Sequence, residues 1–234
     1  MEVTKREIIA SIGIVAIMMI IGLFFYQWTF DHKLKEIESY KTAVKANDSS
    51  TFLYALDTEV GNTISFGPLE AVDPVTYKEL NGKYMKVKKV TERYTRHTRR
   101  VKSGKHYYTK VYYTWDTVYT ERKSCKYVTF YGVKFKANQI ALPSPSHLKT
   151  KYITSTVRNK YYGSQKKYNG TLFAKLQKNT IQGKADFYPY MNIKETIEEV
   201  SDIGSYTSIF WFIWILLTIV IVSGFCYLEN QWLE

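Results

Sequence analysis

Cysteine is scarce in this sequence. The chain has 234 residues and two cysteines, and Cys226 lies in an apolar run, so no disulfide is expected within the polar part of the chain around Cys125. Exported animal domains of this size usually carry disulfides, so their lack favours a bacterial or phage-encoded protein or a domain that faces the cytoplasm. A thiolate zinc site is excluded as well, because one cysteine and four histidines stand there without C-x-x-C or H-x-x-x-H spacing.

The sequence also lacks the motifs of known catalytic sites. It contains no G-x-S-x-G, G-x-x-x-x-G-K-[ST], H-E-x-x-H or G-x-G-x-x-G pattern. One acidic cluster could be a metal or acid–base site, but we interpret it as the solvated face of a helix: Glu195, Glu198, Glu199 and Asp202. We therefore expect a protein that is not an enzyme, with no catalytic residues, no cofactor and no metal.

Acidic residues are the minority. Lys and Arg number 33 against 21 Asp and Glu, which gives a net charge of +12, and almost all of this excess lies between the two apolar runs. Basic proteins attract nucleic acid, anionic lipid headgroups or phosphate-rich envelope polymers. The alternative is an ordinary solvated surface without a specific anionic partner.

Two long apolar runs without a charged residue are present, at residues 8–26 and 209–228. About 20 helical residues cover the roughly 30 Å hydrocarbon core of a bilayer, so each run predicts a transmembrane helix. The first run is longer than the apolar region of a signal peptide and has no small-x-small cleavage site. A buried helix of a soluble protein is the alternative, but aromatic residues flank both runs, as at a bilayer interface: Trp28, Tyr206, Trp211, Tyr227 and Trp232.

The predicted fold class is an α+β membrane protein, in which N- and C-terminal transmembrane helices flank one β-rich loop domain. We predict a tail and helix over residues 1–29, a basic β-rich extramembrane domain with helical start and end over 30–206, and a helix with a short tail over 207–234. Lys5 and Arg6 favour cytoplasmic termini, whereas the lysines after the first run favour the opposite. Because long loops translocate largely regardless of charge, we predict a two-pass cell-membrane protein with an extracytoplasmic loop domain.

Frequent turn signals between runs rich in Val, Thr, Tyr and Phe predict that this domain is mainly β. A helix is expected to continue from the first span over residues 30–46, and a short helix over 171–181. Residues 152–157 are predicted as a strand. Asn192 followed by Glu195 resembles a capping box that starts a helix.

The clearest element is a hairpin over residues 86–120. If Ser103 and Gly104 are the two loop residues, Tyr94 faces Tyr113 and Glu92 faces Trp115. One face of the returning strand is apolar enough to pack, and the opposite face is basic and aromatic. The packing face is expected to contain Tyr107, Thr109, Val111, Tyr113, Trp115, Thr117 and Tyr119.

This hairpin is the candidate polyanion-binding site, because cations that alternate with aromatic rings can hold anions and stack on bases or sugars. The alternative is an exposed hairpin whose charges prevent edge-to-edge aggregation. The candidate residues are Arg93, Arg96, His97, Arg99, Arg100, Lys102, Lys105, Lys110, Tyr108 and Tyr112.

Several stretches resemble uncharacterised two-span membrane proteins of prophages and temperate phages of low-GC Gram-positive bacteria. They are residues 4–7 (TKRE), 71–77 (AVDPVTY), 93–99 (RYTRHTR), 113–116 (YTWD) and 227–234 (YLENQWLE). The resemblance covers most of the chain and implies no catalytic residues. The strands around Glu92–Tyr94 and Tyr113–Trp115 are also similar to those of LUMA-type envelope proteins.

Together these patterns predict a membrane-anchored binding or structural protein, phage- or prophage-encoded, for example one that excludes a later phage or binds a polyanion. The alternatives are a lysis or pore-forming effector, which would not need so large a loop domain, and a membrane-bound enzyme of unrecognised type. Candidate partners are the lipid bilayer, an anionic envelope polymer or lipid headgroups, a second copy of the chain, and nucleic acid only if the loop is cytoplasmic.

Overall fold

The computed structural model describes residues 5–104, 106–177 and 179–232. The chain divides into a helical unit, residues 1–42 with 197–234, and a β-rich unit, residues 43–196. Long apolar helices near both ends flank a β-rich domain, which confirms the predicted α+β layout. The domain limits at residues 30 and 206 stay a prediction, and both fall inside helices.

Two long helices make up the helical unit, α1 (Lys5–Lys41) and α4 (Ile203–Trp232). Both are long and apolar enough to cross a membrane. Their apolar side chains are turned outward, as in Phe24 and Val220, which are 74% and 67% exposed. Such exposure is costly in water and suits a hydrocarbon environment.

The two helices run antiparallel, as three contacts along their length show. Ser11 Oγ lies 3.7 Å from Cys226 Sγ, and at the other end Tyr26 Oη lies 3.0 Å from Thr207 Oγ1. Between them, Trp214 Nε1 donates a hydrogen bond of 2.9 Å to the carbonyl of Met18. An indole N–H among apolar side chains usually finds such an acceptor.

The β-rich unit contains twelve described strands. The first six are β1 (Val44–Ala46), β2 (Gly61–Ala71), β3 (Lys86–Ser103), β4 (His106–Ser124), β5 (Tyr127–Phe130) and β6 (Val133–Lys136). The others are β7 (Ile140–Ala141), β8 (Ser146–Thr154), β9 (Val157–Gly163), β10 (Lys167–Gln177), β11 (Thr180–Ile181) and β12 (Ala185–Pro189). Two short helices complete the chain, α2 (Ser49–Asp57) and α3 (Ile193–Val200).

The larger sheet has the order β6-β5-β2-β10-β12-β7, with β1 beside β2 and β11 beside β10. Helix α2 packs on it through Phe52, whose ring meets Phe130 and Phe135 edge-on at 5.1 and 6.5 Å between centroids. Helix and sheet together bury the main apolar core of this unit. Asp48 caps α2, because its Oδ1 accepts a hydrogen bond of 2.8 Å from the N–H of Thr51.

The smaller sheet has the order β4-β3-β9-β8, and all its neighbouring strands are antiparallel. Tyr161 of β9 is fully buried and joins Tyr77, Leu80 and Val87 in a second apolar cluster. This cluster supports the end of the sheet where β3 begins and leaves the other end outside the core.

The predicted helix over residues 30–46 ends early. Helix α1 stops at Lys41, and residues 44–46 form β1, a parallel neighbour of β2. Ala46 is fully buried, and its carbonyl accepts a hydrogen bond of 2.7 Å from Ser65 Oγ. Tertiary pairing with β2 outweighs the helical spacing of the apolar residues.

The predicted helix over residues 171–181 is wrong, because this segment is strand β10 followed by β11. Leu172, Ala174 and Leu176 are buried while Lys175 is exposed, which is the two-residue period of a strand. The predicted strand over 152–157 spans the end of β8, a turn and the start of β9. The capping box is confirmed, since Asn192 and Glu195 each accept a hydrogen bond from the backbone N–H of the other.

Candidate functional site

The predicted hairpin forms, and its outer part is a two-stranded ribbon. Strand β9 accompanies β3 only as far as Arg93, which pairs with Val157. Beyond that point ten facing pairs join β3 to β4, from Tyr94 with Trp115 to Ser103 with His106. We call residues 94–103 and 106–115 the basic ribbon. Ten residues per strand at about 3.4 Å each give it a length of roughly 30 Å.

The register of the hairpin differs by two residues from the prediction. Tyr94 faces Trp115 rather than Tyr113, and Glu92 faces Thr117 rather than Trp115. Ser103 pairs with His106, so Ser103 belongs to the strand rather than to the loop, and Gly104 follows it with a φ of 61°. This left-handed conformation favours glycine. A shift of two keeps every side chain of the ribbon on its predicted face.

A bulge changes the face at one position. The pairing shifts between Thr91 with Tyr119 and Glu92 with Thr117, so Val118 is the additional residue. Tyr119 therefore lies on the face opposite Thr117 and Trp115, whereas the sequence predicts one face for all three. A regular two-residue alternation cannot reveal a bulge, because nothing in the local pattern distinguishes the additional residue.

The ribbon does not pack inward on either face. The residues of β4 from His106 to Thr114 are all exposed on both faces, and Trp115 is half-buried. The expectation that the face containing Trp115 belongs to the core is therefore wrong. The smaller sheet extends past its supporting cluster, and no described element covers the ribbon.

The structure places the described candidate site residues on both faces of this ribbon and at its base. One face carries Arg96, Arg100 and Lys102 beside Tyr94, Tyr107, Tyr113 and Trp115. The other carries Arg93, His97, Arg99, Lys110, Tyr108 and Tyr112. All of these candidates except half-buried His97 are exposed. The candidate Lys105 lies outside the described residues.

One cross-strand pair brings two cations together. Arg99 and Lys110 are directly opposite each other and share a face. Like charges that face each other across a pair of strands destabilise it, and among the described residues no carboxylate forms an ion pair with either side chain. An anion bound between them would relieve this repulsion.

His97 has a partner within the hairpin. Its Nε2 lies 2.6 Å from Asp116 Oδ2, and its ring stacks on Tyr112 at 5.3 Å between centroids. The hydroxyl of Thr114 donates a hydrogen bond to Asp116, and this bond, with the contact to His97, keeps the pKa of the carboxyl below its usual range. His97 therefore contacts both Asp116 and Tyr112 on this face of the hairpin.

A charged cluster fixes the base of the ribbon. Glu92 is buried and accepts hydrogen bonds from Arg158 at 2.7 Å and Lys160 at 3.1 Å. Burial alone would raise the pKa of Glu92, but these two cations outweigh it and lower the pKa. The guanidinium of Arg158 also lies 4.0 Å from the ring centre of Trp115, so β9 holds the innermost ring of the ribbon.

The sequence does not predict the roles of Arg158 and Lys160, because they lie on β9, more than 60 residues from Glu92 along the chain. The pairing of β3 with β9 brings them together. Isolated cations in a basic sequence carry no signal for such a contact. Predicting it would require the strand order of the sheet.

Chemically, the ribbon offers cations and aromatic faces. Arg100 and Lys102 both lie over the ring of Tyr107, at 4.9 and 5.9 Å from its centre. Among the described residues, no group of three or more His, Cys, Asp or Glu side chains could hold a metal ion. The arrangement is suited to contact with an extended anion. Comparisons of the chain with protein-family models, with curated proteins and with solved structures find no match.

Proposed function

We propose that this chain is a membrane-anchored, non-enzymatic binding protein whose basic ribbon contacts an anionic polymer or anionic lipid headgroups. The observation that supports this most directly is the exposure of the ribbon on both faces while it carries described cations and one facing cation pair, Arg99 with Lys110. A ribbon used only for stability would be expected to pack at least one face or to neutralise its charges.

Arginine and tyrosine are suited to such a contact. Guanidinium groups bind phosphate with two parallel hydrogen bonds, and aromatic rings stack on flat ligand groups. Arg96 and Arg100 on one face and Arg99 on the other alternate with tyrosines, so a polymer that follows the ribbon meets charge and ring in turn.

We also propose a phage or prophage origin, with exclusion of a later phage as an example of the role. The support is the resemblance of five short stretches, two of which, residues 93–99 and 113–116, lie largely in the ribbon. Two helices capable of crossing a membrane agree with such a protein. A lysis or pore role has weaker support, because apolar side chains dominate both helices and the large β-rich unit would have no part in it.

Binding can be tested with the full chain in phosphatidylcholine nanodiscs and inorganic polyphosphate as the probe. The triple variant Arg96→Glu, Arg99→Glu and Arg100→Glu should bind about tenfold more weakly or worse, because exposed charge reversal removes attraction at little cost in stability. Binding to the unmodified chain should weaken steeply as salt rises, since screening acts beyond about 8 to 10 Å at moderate ionic strength.

The matched control is Lys149→Glu, Lys151→Glu and Lys175→Glu, three exposed cations outside the ribbon. It changes the net charge by the same amount, so non-specific attraction predicts the same loss. Equal weakening of the two triple variants, or unchanged binding in the ribbon variant, contradicts the proposal. Phosphatidylglycerol vesicles in place of polyphosphate test the headgroup alternative in the same way.

We further propose that both termini are cytoplasmic and that the β-rich unit is extracytoplasmic. The support is Arg6 and Lys5 before the first span. Protease added to cells stripped of their wall should cut between residues 31 and 206 and leave tags at both ends intact. Cleavage only after the membrane is permeabilised would reverse the orientation and make nucleic acid the relevant polyanion.

A further inference from the structure

A cleft in the β-rich unit, away from the ribbon, is lined by four lysines. It has a volume of about 540 Å³, which lies within the range of small-molecule sites. The start of β3, the β4–β5 connection, the end of β6 and the turn before β12 each contribute one cation. These are Lys86, Lys126, Lys136 and Lys184, which we call the lysine cleft.

No carboxylate occurs among the described residues that line the cleft. Asp73 contacts the backbone of this wall, because its two oxygens accept hydrogen bonds of 2.8 and 2.9 Å from the backbone N–H groups of Lys126 and Tyr127. Burial would raise the pKa of Asp73, but these bonds outweigh it and the pKa is lowered. One carboxylate behind the wall therefore leaves the four lysines with a clear excess of positive charge.

The cysteine in the wall does not reduce this excess. Burial, with a contribution from Asp73, raises the pKa of the Cys125 thiol to about 11. It is therefore a neutral group at physiological pH. Ser124 lies beside it in the same wall and offers a hydroxyl that can donate a hydrogen bond.

Lys86 is the most enclosed cation of the cleft. It is half-buried, and its Nζ donates a hydrogen bond of 3.1 Å to the carbonyl of Leu142. Burial lowers the pKa of Lys86, and the neighbouring charge of Lys184 lowers it further. A bound anion would reverse both effects, because it would offset the lost hydration and the repulsion between the two lysines.

A second cavity of about 390 Å³ shares Lys86 and Ser124 with the lysine cleft. It adds Lys88, Arg122 and Lys123 to the surroundings of Lys86. Lys88 and Lys123 lie over tyrosine rings, at 4.6 and 4.5 Å from the centres of Tyr162 and Tyr77. These cations strengthen the positive field at the shared wall while their own positions are fixed by the rings.

We propose that the lysine cleft binds a small anion that carries phosphate groups with at least two negative charges. Lys126, Lys136 and Lys184 are exposed and turned to the same cavity as Lys86, so they can converge on one ligand. Lysine binds phosphate as a point charge and needs no fixed orientation. A soluble phosphate and a lipid headgroup phosphate present the same chemistry to these lysines.

The test uses the full chain in neutral detergent micelles at low salt, with inorganic pyrophosphate as the probe in calorimetry. Lys136→Gln with Lys184→Gln should weaken binding about five- to tenfold, as expected for two partly exposed charge contacts. Pyrophosphate should also slow acylation of Lys86 at least about threefold, measured by mass spectrometry of the labelled chain; this follows from the proposed contact, since a bound ligand keeps the amine charged.

Two control variants separate this site from the others. Lys149→Gln with Lys175→Gln removes two exposed charges outside the cleft and should change the affinity less than about twofold. The ribbon variant with Arg96, Arg99 and Arg100 reversed should still bind pyrophosphate, so failure of the ribbon proposal is distinguishable from failure of this one. No binding, or equal weakening in the exposed-lysine control, overturns the proposal.

A competition experiment between lipid and pyrophosphate identifies the source of the phosphate. Phosphatidic acid mixed into the micelles should displace pyrophosphate if a headgroup enters the cleft, and phosphatidylcholine should not. Displacement assigns the site to lipid phosphate as well, and lack of displacement assigns it to soluble anions. Displacement by phosphatidylcholine would overturn the proposal, because a zwitterionic headgroup has no net charge for the lysines to select.

Discussion

The indole of Trp214 lies in the space left by the missing side chain of Gly22, where α4 crosses α1. A Cβ atom at position 22 would overlap the indole ring. The same ring donates its hydrogen bond to Met18, one turn earlier in α1. Small residues that admit a large neighbour are a common means of helix contact in membranes.

Gly22→Leu should therefore destabilise the helix pair by about 1 to 3 kcal/mol, the usual range for an overpacked contact. Gly13→Leu is the matched control, because no atom lies within 4 Å of a Cβ placed there. The measurement is the unfolding midpoint of the full chain in micelles, followed by tryptophan fluorescence. Equal midpoints for the two variants would mean that Trp214 does not occupy this space.

Trp115 should contribute less to stability than a core tryptophan. Its ring is half-buried and meets Tyr94, Tyr152 and Arg158, so Trp115→Ala should cost about 1 to 2 kcal/mol rather than the 3 to 5 kcal/mol of a full cavity. Tyr112→Ala, on the opposite face, should cost under about 1 kcal/mol. Urea denaturation measures the stability of both variants, provided that the dependence of the unfolding free energy on urea concentration is unchanged. A loss above about 3 kcal/mol for Trp115→Ala would mean that the ribbon is buried.

The cluster at Glu92 predicts a pH dependence. Its pKa lies below the ordinary value of 4.5 in the folded protein, so the carboxylate stabilises the fold above pH 4.5, and this stability is lost as the pH falls through the folded pKa. Glu92→Gln should cost about 1 to 3 kcal/mol at neutral pH, the range for buried hydrogen bonds to charged groups. The difference from the unmodified chain should shrink in acid.

The control for this prediction is Glu70→Gln. Glu70 forms an ion pair with Lys166, with 2.8 Å between Oε1 and Nζ, but both side chains are more than one-third exposed. Exposed pairs contribute at most about 1 kcal/mol, so this variant should be close to neutral in thermal unfolding. If the Glu92→Gln variant is as stable as Glu70→Gln from pH 5 to 8, the charged cluster does not stabilise the fold.

The Cys125 thiol should be unreactive until the β-rich unit opens. It is 4% exposed, and its pKa is raised to about 11, so the thiolate is rare at pH 7.5. In a Cys226→Ala background, maleimide should label the chain slowly in buffer and quickly in denaturant. Fast labelling of the native protein would show that this wall of the lysine cleft opens readily.

The sequence predicts the parts of this fold that local patterns determine. Uninterrupted apolar runs mark α1 and α4, Asn192 with Glu195 marks the start of α3, and glycine at 104 marks the hairpin. These signals depend on neighbours in the chain. The candidate site is predicted for the same reason, because its cations and rings lie on two consecutive strands.

Other features depend on partners that are distant in the chain. Strand β10 is central because β2 and β12 flank it, and its helix-like apolar spacing is outweighed by that pairing. Trp115 is only half-buried because β9 does not accompany β3 beyond Arg93. The four lysines of the cleft come from four separate segments, so no spacing in the sequence joins them.

The bulge at Val118 lies close to the base of the ribbon, separated from it by two facing pairs, Glu92 with Thr117 and Arg93 with Asp116. Bulges bend a strand and increase its twist. Deleting Val118 would leave every pair from Tyr94 to Ser103 in register and would straighten the strand. The same cations would then point along a different axis. A single additional residue thus influences the direction of the ribbon without changing any of the ribbon's side chains.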